Sequence, residues 1–421
     1  MAGPVGTTTA YGTQGQTLEF DTESTLGTAD GSAKDIRFEE LTFPTVTRQQ
    51  IENKPKGREN WADNQDRPIT YEAVQEDAIS VTANCRLSSA NLDPLTLMAT
   101  VGGMGSDTAS KTTAAVTGGT IDTASDAGLP GRAFLVELDD GTYHPVLCTA
   151  TESGGAVNIT MNPPDDATAG NDCLAMQTIY PKQQEITTYG NLKWNTRAEN
   201  TSVNQLAYQA SGCALSSIGT ITIEPNTPLK FDFGLHAGDI DQLSDTMDAD
   251  SLKFRENVPI TDCNFEFGFY DAGTGISNST ANLIKAEIDL NYSSVPIPAT
   301  GGTCLNGIQG YYSMPGTPKI TLEMIMDKSR WDDFEGTNAY KYIHFVQPSS
   351  NAGNTTPTPA WGFWFPNCFL SEAPVMISDG DYYRMTCVYE GYSANFGSST
   401  INNAQEMAPW YYAVGGYYVV A

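Results

Sequence analysis

Three histidines, eight cysteines and 50 acids are the groups in this sequence that could do chemistry, and their spacing limits what that chemistry can be. His144, His236 and His344 are far apart, and none stands at a metal-ligand spacing from a cysteine. Cysteines 85, 148, 173, 213, 263, 304, 368 and 387 form no CxxC pair, so free and mostly buried thiols made in a cytosol are expected. Asp332-Asp333 offers the two carboxylates a glycosidase needs. Its place after Ser329 reads instead as the first turn of a helix, where the dipole favours acids. The acids at 239, 241, 245, 248 and 250 lack the glycine and late glutamate of a calcium loop and read as an acidic connector. Trp331, Trp361 and Trp364 could stack on a sugar, but core packing is the commoner use of aromatics in β units. His344, inside a strand, reads as a core or rim residue rather than a base. No GxSxG elbow, P-loop, GxGxxG fingerprint or HExxH occurs. The sequence gives no positive sign of an enzyme, and neither metal nor cofactor is expected.

The bulk properties narrow the field further. Fifty acids against 22 Lys and Arg leave a net charge of −28. Such a chain repels DNA and anionic membrane at long range, which argues against nucleic-acid binding by counterion release. Two uses of the charge stay open: solubility alone, or a surface that must not hold a polyanion. The opening MAGPVGTTTAYG has neither a basic start nor an apolar core, so no signal peptide is expected. No apolar run approaches the ~20 residues that span a bilayer, so no membrane insertion is expected. With 39 glycines and 23 prolines, many short strands joined by tight turns are expected. A length of 421 residues suggests two or three domains.

The element that organises the chain runs from Pro318 to Phe334, PKITLEMIMDKSRWDDF, an alternating strand running into a short helix. The stretch Ile79 to Leu95 repeats the pattern without a gap, 239 residues earlier. A second pair agrees with it. Cys213 to Gly238 and Cys368 to Gly391 each read as Cys, apolar, Leu, Ser, a strand, a polar turn, a strand and a closing glycine, 155 residues apart. One unit used twice, with an insertion in the first copy, is the simplest account. The expected organisation is therefore an arm at 1–35, a first unit at 36–105 and 173–250, an inserted β module at 106–172, a second unit at 251–393 and a tail at 394–421. Within the insertion, 106–130 reads as a linker. Strands at 132–138, 142–150 and 156–161 then read as a three-stranded meander. Thr47 to Pro68 and Ser293 to Thr317 read as long loops at equivalent places in the two units. The strand around Asn282 to Tyr292 has one wet face, carrying Glu287 and Asp289. The WYYAVGGYYVV tail is too apolar for water and is expected to pair as a strand.

A long-looped strand pair, a strand leading into a short helix, a Ser-rich strand, and a final hairpin with Ser378-Asp379-Gly380-Asp381 before YYRMTCVYEG together resemble the tail tube (major tail) proteins of long-tailed bacteriophages. The resemblance covers residues 36–103 and 173–393. It implies a mostly β fold: two tandem β-sandwich or barrel domains, each with a short helix, plus the inserted module. It implies a structural virion protein of the tail, assembled in the host cytoplasm into stacked rings. A fused double unit implies three chains per ring with pseudo-sixfold symmetry. The implied partners are further copies of the chain, a tape-measure protein and tail-end proteins, with DNA passing through an acidic channel without specific binding. Asp232, Glu287, Asp289 and Glu323 are then candidates to line the channel. Lys54, Lys56, Arg58 and Trp61 in one loop, and Tyr311 and Tyr312 in the other, are candidates to contact the next ring. Two other readings stay open: a capsid decoration or carbohydrate-binding surface protein, and a β-rich hydrolase using paired carboxylates.

Overall fold

A computed structural model of the chain describes residues 11–31, 34–36, 40–42, 47–51, 69–73, 79–84, 94–108, 115–117, 120–123, 131–137, 143–148, 152–153, 156–160, 173–198, 206–227, 229–243, 265–271, 283–298, 305, 307–325, 340–348, 360–380, 382–394 and 407–415. The alternating runs and frequent turn residues make it mostly β, in antiparallel sheets.

Chain order begins with β1 (Tyr11–Glu23), β2 (Lys34–Ile36), β3 (Glu40–Thr42), the hairpin of β4 (Thr47–Ile51) and β5 (Ile69–Ala73), and β6 (Ile79–Asn84). Helix α1 (Pro94–Val101) follows, with proline at its first position, where no backbone donor is lost. Next come β7 (Gly105–Thr108), β8 (Ala115–Thr117), β9 (Thr120–Thr123), β10 (Ala133–Glu137), β11 (Tyr143–Leu147), β12 (Glu152–Ser153), β13 (Ala156–Thr160), β14 (Cys173–Ala175), β15 (Gln177–Tyr180) and β16 (Glu185–Ile186). Longer strands β17 (Tyr189–Ala198) and β18 (Leu206–Ile218) lead through Gly219 into β19 (Ile221–Ile223), and β20 (Lys230–His236) and β21 (Asp239–Leu243) follow. The rest is β22 (Glu266–Asp271), β23 (Leu283–Asp289), β24 (Tyr292–Pro298), β25 (Ile308–Pro315), β26 (Lys319–Ile325), β27 (Lys341–Gln347), β28 (Ala360–Asp379), β29 (Tyr382–Gly391) and β30 (Tyr411–Gly415).

Six strands lie side by side in the order β1-β17-β18-β20-β6-β3. Six others lie in the order β22-β27-β28-β29-β26-β23. The two sets match one for one, both across the sheet and along the chain. Within each set of six, the member first in sequence takes one end and the next takes the other; β2 adds a short strand outside β1. A hairpin (β4–β5 or β24–β25) then intervenes before the remaining four fill the gap. Cys213 on β18 and Cys368 on β28 hold matching places, and each thiol donates to the carbonyl three residues back, Ala210 at 3.4 Å and Phe365 at 3.5 Å.

Both sets bury their apolar faces in one core. Leu18, Phe20, Phe231 and Phe233 from the first set pack with Ile288, Ile320, Phe345 and Phe363 from the second. The Phe231 ring lies 6.1 Å from that of Phe363. The sets also join edge to edge. β19 pairs with β23, β24 touches β18 at Ser217 and Ser293, and β16 pairs with β25. Strand β30 lies between β28 and β15 in the ten-stranded sheet, so the tail pairs with its own body.

Several local expectations are corrected. The three-stranded meander does not form. β10 and β11 pair as a hairpin, but β14 takes the free edge of β10 and β13 pairs with β9 and β12. The stretch read as a linker supplies β8 and β9, which pair antiparallel with Thr117 opposite Thr120. Ser293 to Thr317 is not a loop but largely the β24–β25 hairpin. Pro296 and Pro298 are tolerated there because β24 has a ladder along one side only, apart from Ser293. The arm at 1–35 carries β1, paired with β17 from Gln16 to Glu23. Helix α1 lies where the first helix is expected. The expected second helix, with Asp332, Asp333 and Trp331, lies outside the described residues.

Candidate functional site

Charged residues gather on the outer face of the sheet formed by β19, β23, β26, β29 and β28. Strand alternation builds it. On β26, Ile320, Leu322 and Met324 point into the core while Lys319, Thr321 and Glu323 point out. On β23, Ala286 and Ile288 are buried, leaving Lys285, Glu287 and Asp289 outside. Register places Lys285 opposite Glu323, Glu287 opposite Thr321 and Asp289 opposite Lys319, so these residues share one face. β29 adds Arg384 and Glu390, opposite Ile325 and Lys319. Glu224, just past β19, and Glu372 on β28 complete the set.

Every base on this face is held by an acid. Lys285 reaches Glu287 at 2.8 Å and Glu224 at 3.1 Å. Lys319 reaches Glu372 at 2.8 Å, and Arg384 pairs with Glu323. Donating to Glu287 and Glu224 holds the Lys285 ammonium above the ordinary lysine range, and donating to Glu372 does the same for Lys319. Six acids (Glu224, Glu287, Asp289, Glu323, Glu372, Glu390) against three bases leave a net charge of −3 on the face. Asp289 accepts from the backbone N–H of Asn291 at 2.8 Å, at a turn where Asn291 takes a positive φ of 48°. Such fixed carboxylates, backed by an apolar core, project a negative field that bound cations do not cancel.

The structure thus brings Glu287, Asp289 and Glu323 together. Asp232 is elsewhere. It lies exposed on β20, opposite Thr82 of β6, in the eleven-stranded sheet. Of the loop residues singled out, Lys54, Lys56, Arg58 and Trp61 lie outside the described residues. Tyr311 is corrected from a loop position to the interior of β25. Its ring is fully buried and stacks on His236 with centroids 5.4 Å apart. Tyr312 is half-buried and pairs with Glu185 of β16. Trp361 and Trp364 are buried and present no face to a sugar. Cys148, Cys213, Cys368 and Cys387 are free and buried, and burial pushes the Cys387 thiol up to about 12.

Sequence reasoning missed a second polar cluster. Glu266 on β22 bonds His144 on β11 at 2.8 Å and His344 on β27 at 3.4 Å. Burial pushes the Glu266 carboxyl up, but the two imidazoles outweigh it and hold the group well below the usual carboxylate range. Burial pulls the His344 imidazole below its ordinary value, against the opposing pull of Glu266. Gly268 stands opposite His344, and a Cβ there would lie 2.0 Å from the ring, so only glycine leaves it room. The sole signal in the sequence was the scarcity of histidine; nothing local links positions 144, 266 and 344. Among the described residues no three His, Cys, Asp or Glu side chains converge as a metal site. Compared with known proteins, the chain matches no family model and no curated sequence.

Proposed function

We propose that this chain is a structural virion protein: a tail tube subunit that assembles, three copies to a ring, into stacked rings around an acidic channel for DNA. The observation that carries the reading is the recurrence of one six-strand order in two halves joined edge to edge. A molecule of that kind is most simply a duplicated unit with pseudo-twofold repetition of one interface. Three such chains supply six equivalent units, and a heterologous interface that closes makes a ring rather than a fibre. Closure also removes the sheet edges that an open sheet leaves reactive.

The charged face supports the same reading. A wall with net −3 per copy and no unpaired base among its described residues repels a polyanion within a Debye length of ~8 Å at physiological salt, without gripping it. We assign this face, including Glu287, Asp289 and Glu323, to the channel. The tape-measure and tail-end proteins are the further partners. The test is electron microscopy of the purified chain at rising concentration. Threefold rings and stacked tubes are the expected outcome. A species that stays monomeric at every concentration, even with a tail-initiation complex added, overturns the reading.

A further inference from the structure

Strand β28 has two sides, and the described residues fill only three of its four half-edges. One side carries β30 at Ala360–Trp364 and then β29 from Cys368 to Asp379. The other carries β27 as far as Cys368, and beyond that residue no described strand pairs with it. The matching strand β18 is complete. Its corresponding side carries β17 as far as Cys213, then β24 at Ser217, and its continuation β19 carries β23. Counted from the two cysteines, Met376, Ile377 and Ser378 hold the places of Ile221, Thr222 and Ile223. Ile221 and Ile223 are 0% and 2% exposed. Met376 and Ile377 are 46% and 44% exposed, beside Val375 at 56% and, across the hairpin, Tyr383 at 58%. The same position is core where a second unit covers it and bare where none does.

The chain also carries a strand of the kind that would cover it. β23, which pairs with β19, sits on the edge next to β26, with Ile288 opposite Ile320 and Glu287 opposite Thr321. In the first set β3 holds that edge next to β6, with Leu41 opposite Val81 and Glu40 opposite Thr82. Among the described residues β3 pairs with β6 alone, and no described strand lies on its far side. One chain therefore has one open edge at each end of its paired units, and the closed joint between the units shows how the two fit.

We propose that the open edge of β28 over residues 371–379 receives the open edge of β3 from a second copy, in the register that joins β19 to β23. Met376 then lies opposite Leu41 of the second copy, and Ile377 opposite Glu40 of the second copy. Met376 and Tyr383, which share the face of the buried Met385, become core on assembly, while Val375 and Ile377 lie on the opposite face with Arg384. Such a joint is head-to-tail and is satisfied at every edge only when the chain of copies closes. The stoichiometry rests on the ring reading above; the joint itself rests on the two edges.

Disulfide trapping tests it. Residues directly opposite on antiparallel strands have Cβ atoms ~4.5–5.5 Å apart, near the reach of a disulfide. The full-length double variant Ile377→Cys with Glu40→Cys is expected to give covalent dimers and trimers on a non-reducing gel, while each single variant stays monomeric. Thr222→Cys with Glu287→Cys, at the matching joint inside the chain, is expected to cross-link within one copy. Met376→Lys with Tyr383→Lys places two charges at the joint and should raise the concentration needed for assembly by at least about tenfold. Both sites are exposed in the single chain, so its melting temperature should not move. Rings or tubes that form with no intermolecular cross-link, and that ignore the lysine pair, overturn this joint and leave the tube reading standing. No assembly and no cross-link at any concentration overturns both.

Discussion

Glu266 ties three distant segments through two imidazoles, and the direction of each shift fixes what acid will do. His344 prefers its neutral form in the folded state, so its contribution is present above the ordinary histidine value of about 6.5 and is lost as pH falls below it. Glu266 is held ionised, so its contribution is present above the ordinary carboxylate range and is lost as pH falls through its lowered value. Both losses lie on the acid side. The melting temperature is expected to be level from pH 8 to 7 and to fall progressively below 6.5. Glu266→Gln should cost about 1.5–3 kcal/mol at pH 7, the scale of a hydrogen bond to a charged group; it should remove the loss below the carboxylate range and steepen the loss just under pH 6.5, because His344 then lacks the carboxylate that opposes its burial. Equal acid limbs in the two proteins would show that the cluster does not set the pH response. Little of this was legible in the sequence. The partners are separated by 122 and 78 residues and meet only because β11 lies against the sheet that holds β22 and β27.

Elements were far more legible than contacts. Alternation at 318–325 and 282–292 gave strands and their wet faces, because a strand half in water must alternate, but the second strand stops at Asp289 and Tyr292 opens the next one. What misled was composition. Prolines at 296 and 298 suggested a loop where an edge strand tolerates them, and a Thr- and Gly-rich run suggested a linker where β8 and β9 pair. The repeated order of six strands was foreshadowed by two short pattern matches, yet the edge-to-edge joint was not, since register between distant strands leaves no local trace. The WYYAVGG stretch shows how strongly an apolar tail can be committed. Trp410, Tyr411 and Tyr412 are all fully buried. Each aromatic removes roughly 150–250 Å² from water, worth up to about 4–6 kcal/mol at ~25 cal/mol per Å². Removing residues 407–421 therefore exceeds the whole net stability of a typical domain. The truncated chain is expected to lose its near-ultraviolet circular dichroism and to appear in the insoluble fraction. A truncated chain that melts cooperatively would show the strand to be dispensable.

At the scale of the whole molecule, charge and closure act together. A net charge of −28 repels single copies from one another, and the proposed joint between β28 and β3 has to overcome that repulsion. The carboxylate face then has a consequence that can be inverted. Asp289→Lys with Glu390→Lys leaves the four ion pairs intact and moves the face from −3 to about +1. Assemblies of this variant are expected to retain duplex DNA at low salt and release it as salt rises, whereas wild-type assemblies retain none. If neither binds DNA while both form tubes, the face does not line the channel.

The central place of β30 also sets an order of events in synthesis. The largest sheet contains segments from residue 105 to residue 415, and β30 is the wedge between two of its parts. No copy can finish that sheet until residues 411–415 have left the ribosome, however early the first strands emerge. A stalled or truncated product therefore lacks the strand at the centre of its own largest sheet.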